Sequence, residues 1–384
     1  MTLRSGLNGS VGIAEEVTYG VPVAPTRHLP VLEAGFDADP ERIDSEAIIA
    51  GARMQRSAQW HLGRVMAGGD LGFELYDRSV GLLFKHMFGA VSTTGSGPYT
   101  HTFTPGDLDG KSLTVQVGIP DVNTGTVHPF TYSGCKIESW ELACSEGELA
   151  TLGLTIAAKY AINTRSVTDG VTTNGSATIT SATAAFSQDD VGKPISGTGI
   201  PAATTILSVQ SATSATLSAN ATATGTGVTF TFGLTLTAVS YPSGIMPMAF
   251  TGATVTIAGS AYRTKAFTLS GNNGLKTDRF FLGDQGRHEP LEASLREISG
   301  SIDSEFFDLT AYRRFVSGTE AAVEFKLARG TSTVTVTMNV RFDGTTPSLS
   351  GADVVEQSLP FKVLGTTTDA GGITAVLVNG DATP

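Results

Sequence analysis

The chain is short of charge. Of its 384 residues only 16% are Asp, Glu, Lys or Arg, where globular proteins carry nearer ~25%. Positive charge is scarcer still: 25 Lys and Arg stand against 36 Asp and Glu, for a formal net charge of -11. That excludes a protein that grips nucleic-acid phosphates, which gathers Lys and Arg on one surface. It does not exclude a surface past which DNA moves without sticking. Cysteine is nearly absent. Cys135 and Cys144 are the only two, so no disulfide framework is expected, and both read as ordinary sheet residues. No uncharged run approaches the length of strongly apolar sequence that spans a bilayer as a helix. The first ten residues have no apolar h-region, and the expectation is a protein that is soluble and intracellular when made.

Recognisable chemistry is missing too. There is no Gly-rich phosphate loop with its Lys and Ser/Thr, and no dinucleotide fingerprint between a strand and a helix. His28, His61, His86, His101, His128 and His288 are scattered, without metal-ligand spacing. Asp189 and Asp190 are adjacent carboxylates that half a calcium site would need. In a neutral, turn-rich stretch they read instead as solvated side chains. No catalytic residue, metal or cofactor is expected, and no enzyme.

What is present points to β-structure. Glycine supplies 45 positions and hydrophobic residues 40%, and Ser and Thr are abundant throughout. Thr is β-branched and favours pleated strands. Period-two alternation marks strands at 71–75, 99–105, 112–118, around Ile137 to Leu142, and at 152–160, 298–306, 322–327 and 334–342. In the last, Val334, Val336, Met338, Val340 and Phe342 share one face. Leu234 to Tyr241 reads as a further strand, and 253–259 and 265–271 look like hairpin partners. The apolar set Val80, Leu83, Phe84, Met87 and Phe88 has helical spacing after Asp77, a candidate N-cap, and stops at Gly89. A short helix is expected over 309–316. The first thirty residues read as an arm, with Leu29 to Glu33 the first edge strand. Residues 34–60 form a long loop or two strands with a mobile tip.

Texture divides the chain. Residues 164–233 hold only Arg165, Asp169, Asp189, Asp190 and Lys193 as charged groups, with short apolar strands between Gly, Pro and Ser turns. They read as a small all-β domain, Ig-like or similar, inserted into a discontinuous body of 1–163 and 234–384. The fold class expected is therefore all-β: a β-sandwich or rolled antiparallel sheet flanked by one helix, plus the insert.

Several pieces taken in order carry a resemblance. They are Glu16 to Gly20 running on to Pro25 and Thr26, the strand and helix from Gly69 to Gly89, Tyr99 to Pro105 leading into Ser112 to Gly118, and Ser294 to Gly300. Together they resemble the major tail tube proteins of long-tailed, non-contractile bacteriophages, over residues 5–163 and 234 to about 365. The resemblance implies hexameric rings whose inner strands close a barrel, stacked into a tube through which the double-stranded DNA genome passes without specific binding. It implies self-association, and as partners a tape measure protein, a tail tip or initiator complex, a tail terminator and a tail chaperone. Localisation would be the virion tail, after synthesis in the bacterial host cytoplasm. Candidate ring or inter-ring contacts are Tyr19 in the arm, Arg53 and Arg56 in the 34–60 loop, Arg279 and Phe280 in a mixed-charge run, and Arg313. The insert is expected on the tube exterior. The alternatives are a bacterial surface or adhesin-like β-protein, a tail terminator, or the tube of a contractile tail.

Overall fold

Alternation builds the main sheet. In Ser332–Phe342 the apolar face is buried and the Thr, Asn and Arg face is not. The same period recurs in strand after strand. Eight strands pair antiparallel in one continuous layer, in a computed structural model that describes residues 4–187, 190–344, 346 and 354–384. Their order is Glu33–Asp44, Trp60–Glu74, Thr151–Ala158, Val127–Ser145, Ala266–Asn272, Glu297–Glu305, Glu356–Val363 and Ser332–Phe342.

Further strands fold over the apolar side of this layer. Ser10–Glu15 pairs with Arg27–Leu29 and with Leu113–Pro120, which runs on into Val127–Ser145. Ala253–Ile257 pairs with Ser260–Tyr262 and with Ala321–Arg329. The layers meet through large side chains: Phe267 stacks on Phe325 with ring centroids 4.1 Å apart. The helix Gly81–Phe88 is buried along nearly its whole length, setting Phe88 5.7 Å from Trp140 and Phe84 5.6 Å from Phe103. Gly89, at φ 99°, ends it. The architecture is all-β, antiparallel and rolled into a half-barrel.

Residues 165–232 form a separate six-stranded sheet, with a hydrophobic cluster of their own around Phe186, Phe230 and Phe232. The leading and trailing strands, Arg165–Thr172 and Gly225–Phe232, are antiparallel neighbours. The guanidinium of Arg165 lies over the Phe232 ring at 4.1 Å. Buried Asp190 pairs with Arg165 at 2.8 Å and Lys193 at 3.1 Å, so it is no solvated turn residue. Asp189 lies outside the described residues.

Several local expectations need correction. The first thirty residues are not a free arm. Ser10–Glu15 is buried through Ala14, because small Gly12 and Ala14 alternate with Val11 and Ile13 and leave both faces packable. Asp77 does not cap the helix; Val80 holds that position, with no side-chain cap bond. The Asp77 carboxylate instead accepts the Met246 N–H at 3.0 Å and the Ser332 hydroxyl at 3.3 Å. The stretch 234–241 joins no ladder. The Gln116 side chain takes its hydrogen bonds, donating to Thr235 O at 3.1 Å and accepting from Thr237 N–H at 2.9 Å. Ala253–Ile257 and Ala266–Asn272 are not partners: the first pairs with Ser260–Tyr262 and Ala321–Arg329, the second with Val127–Ser145 and Glu297–Glu305. In the helix Thr310–Ser317 only Ala311 is buried, and Leu309 and Val316 face solvent.

Candidate functional surfaces

The side of the eight-stranded layer that faces away from the core is acidic and hydroxyl-rich. Parity places it there: Leu71 and Phe73 point inward, so Asp70, Gly72 and Glu74 point out. By the same rule Glu33, Gly35, Asp37 and Asp39 face outward from Glu33–Asp44, and Ser139 and Glu141 from Val127–Ser145. Glu297, Ser299, Ser301, Asp303 and Glu305 do so from Glu297–Glu305. Glu33, Asp70, Glu141 and Glu297 line one shallow depression, floored by Gly72, Gly153 and Ser270. Among the described residues, cations on this side are ion-paired: Lys362 with Glu297 at 3.3 Å, Arg341 with Asp343 at 2.8 Å, and Lys265 with Glu356 at 2.7 Å. Chemically, such a surface repels polyanions and offers them no anchoring charge.

At the edge of the layer the strands Glu33–Asp44 and Trp60–Glu74 run out as a long hairpin. The tip, residues 45–59, is fastened by its own polar groups. Ser45 N–H donates to Gln59 O at 2.7 Å, and the Gln59 amide donates to Ala47 O at 3.0 Å. Among the described residues, little covers its apolar side chains. Ile48 is 96% and Met54 83% exposed, and Ile43, Trp60 and Leu62 are exposed as well. An exposed apolar cluster on a projecting hairpin marks a contact surface.

The sequence-derived contact residues fall into two groups. Arg53 and Arg56 are exposed on the hairpin tip, and Arg313 is exposed on the helix Thr310–Ser317. The other three have intramolecular partners around Arg287. The Tyr19 hydroxyl meets Arg287 O at 3.5 Å, and Lys159 lies over its ring; burial pushes that phenol well above its ordinary range. The guanidinium groups of Arg64 and Arg287 lie 5.4 and 6.0 Å from the centre of the Phe280 ring. Arg279 donates to Glu289 O at 2.5 Å. Arg287 is itself buried and donates to Ala67 O and Ala158 O at 3.4 and 3.3 Å.

Sequence reasoning missed the acidic row. Its signal was available: carboxylates recur at the polar positions of alternating strands, as in Glu33, Asp37 and Asp39. What no local pattern supplied was that these strands are neighbours. Among the described residues no cluster of His, Cys, Asp and Glu is arranged to hold a metal, and no helix is long and apolar enough to cross a membrane.

A half-barrel with an acidic outer face and an exposed apolar hairpin has the form of a building block. A family model described as phage tail tube protein matches residues 6–213 and 196–363, and the chain belongs to that family. The family is a structural one, of subunits that assemble into the tube of a virion tail. No curated protein is a detectable relative.

Proposed function

We propose that this chain builds the tube of a long, non-contractile tail, as closed rings with hexameric symmetry of tube folds, stacked coaxially. The observation that carries the reading is the pairing of an acidic, hydroxyl-rich sheet face with an exposed apolar hairpin at the same sheet's edge. Closing a ring covers the edge, which would otherwise invite uncontrolled strand addition. It also turns the acidic face toward a common channel, where carboxylates hold phosphates off the wall and double-stranded DNA slides without binding.

Arg53, Arg56 and the apolar tip then meet neighbouring copies, as does Arg313. Tyr19, Arg279 and Phe280 act at these contacts through the Arg287 segment that they brace. Residues 164–233 are an inserted domain carried on the tube exterior by a body of 1–163 and 234–384. Assembly starts on a tip complex with a tape measure protein, is assisted by a chaperone and is closed by a terminator, after synthesis in the host cytoplasm.

Sedimentation velocity across a concentration series tests the reading with an Ile48→Glu/Met54→Glu variant. The unaltered chain is expected to shift to large, fast-sedimenting particles, and the variant to remain a folded monomer with an unchanged circular dichroism melt. A variant that assembled as the unaltered chain does would remove the hairpin from the contact. An unaltered chain that stayed monomeric even with tail-tip complexes present would remove the tube.

A further inference from the structure

The body is built twice. In chain order, its first set of elements is Ser10–Glu15, Arg27–Leu29, Glu33–Asp44, Trp60–Glu74, the helix Gly81–Phe88, Leu113–Pro120, Val127–Ser145, Thr151–Ala158 and Tyr160–Asn163. The second set is Ala253–Ile257, Ser260–Tyr262, Ala266–Asn272, Glu297–Glu305, the helix Thr310–Ser317, Ala321–Arg329, Ser332–Phe342, Glu356–Val363 and Ile373–Asn379. Every strand pairing within the first set recurs between the corresponding strands of the second.

Order alone can recur by chance; register cannot do so easily. Tyr160 opposes Ser133 as Ile373 opposes Met338. Lys136 opposes Ala157 as Arg341 opposes Lys362. Glu74 opposes Thr151 as Glu305 opposes Glu356, and Glu33 opposes Gly72 as Ala266 opposes Asp303. Stepping along any of these strands keeps the two numberings aligned.

Irregular details repeat as well. Leu75 N–H donates to Ala150 O at 2.7 Å, and its counterpart Phe306 N–H donates to Val355 O at 2.9 Å. A Cβ on Gly69 would lie 2.2 Å from Gly35 O; on the counterpart Gly300 it would lie 2.2 Å from Thr268 O. The division between the units falls at the insert, where the two family-model matches also meet.

The units join in a defined way. The second unit's Ala266–Asn272 pairs along the outer edge of Val127–Ser145 in the first. The following segment, 273–296, then crosses the first unit. Asn273 N–H bonds to Glu138 O at 2.8 Å, Arg287 reaches Ala67 O and Ala158 O, and Arg296 reaches Phe88 O at 2.7 Å. The first unit has the same two parts without a partner. Among the described residues, Glu33–Asp44 pairs with Trp60–Glu74 alone, so its outer edge is open. The segment that follows is the hairpin carrying Ile48 and Met54.

We infer that each chain is a covalently linked pair of ring units, and that the contact between its own halves is the template for the contact between chains. The open edge and hairpin of one chain's first unit dock on the second unit of the next copy. A ring then holds half as many chains as tube folds, so a six-unit ring takes three chains rather than the six that the family resemblance implies. The hairpin of Gly89–Thr94 and Tyr99–Pro105, which pairs with Ile373–Asn379, ties the two halves into one body.

This rests on the tube reading, and one pair of measurements separates the two. Native mass spectrometry of isolated rings counts chains, and rotational analysis of end-on electron micrographs counts wall repeats. Two wall repeats per chain, with one outer lobe per chain from the single insert, is the expected result. One wall repeat per chain would overturn this inference and leave the tube reading intact. Failure to form any closed ring or tube, alone or on a tail-tip complex, would overturn both.

Discussion

Glu16 is a buried carboxylate with four residues donating to it. The Gly20 and Gly134 N–H groups lie at 2.8 and 2.9 Å, and the Ser112 and Thr114 hydroxyls at 2.6 and 2.9 Å. Burial lifts this carboxyl above its ordinary range, and the four donors draw it partway back. Two of those donors are backbone N–H groups that cannot reverse. In Glu16→Gln an amide NH₂ must therefore face a donor, and the expected loss is about 2 kcal/mol of stability in urea denaturation. A Gln variant as stable as the unaltered chain would mean that the carboxyl is protonated in the fold. Close backbone approach makes a second pair of residues costly to change. Gly69→Ala and Gly300→Ala each drive a methyl into a carbonyl 2.2 Å away, and each is expected to cost about 3 kcal/mol. Gly35→Ala, with open space at its Cβ, is the control and should melt near the unaltered chain. A large penalty at Gly69 with none at Gly300 would contradict the equivalence of the two sites.

Between elements, the link from the first strand to the buried helix is Glu15, whose carboxylate bonds Lys85 Nζ at 2.5 and 2.7 Å. His86 and Lys85 hold that carboxyl down at about 2. The His86 ring lies 3.6 Å away, beyond hydrogen-bond range, so Lys85 is the firmer contact. An acid whose pKa is depressed by folding stabilises above its ordinary value of 4.5 and loses that contribution as pH falls toward the folded value. Thermal melts of Glu15→Gln against the unaltered chain should therefore differ at neutral pH and converge as pH drops from about 4.5 to about 2. A difference that stayed constant over that window would show that the charge contributes nothing.

Elements with local signals were legible in the sequence. Ser332–Phe342 and Gly81–Phe88 announce themselves through alternation and helical spacing. Ser10–Glu15 did not, because a short strand of small and β-branched residues buried on both faces shows no period. Residues 234–241 misled in the opposite direction. Their Leu-Thr alternation is that of a strand, but a glutamine side chain, invisible to any pattern, holds the backbone. Pairing partners were illegible wherever they lie far apart, as with Ala266–Asn272 between Val127–Ser145 and Glu297–Glu305.

For the whole molecule, the duplication is written in register and not in residues. Across the strands matched above, Gly69 agrees with Gly300, Glu74 with Glu305 and Leu154 with Leu359, but Val127 to Cys135 shares no identity with Ser332 to Val340. Burial parity constrains only polar against apolar, so two copies of one topology diverge freely while each still fills its core. Low charge and a hydroxyl-rich surface were visible from composition. Their concentration on one sheet face came only with the strand order, which brings Glu33, Asp70, Glu141 and Glu297 to one depression. Residues 165–232 stand apart from this logic, with a sheet and a hydrophobic cluster of their own and with neighbouring leading and trailing strands. The measurement that tests the account most directly is electron microscopy of the purified protein over a concentration series, with and without residues 165–232. The account predicts rings or tubes with a central channel and regular outer lobes, and the same tubes without lobes once those residues are removed. Isolated monomers at every concentration, which also fail to extend tail-tip complexes, would contradict it.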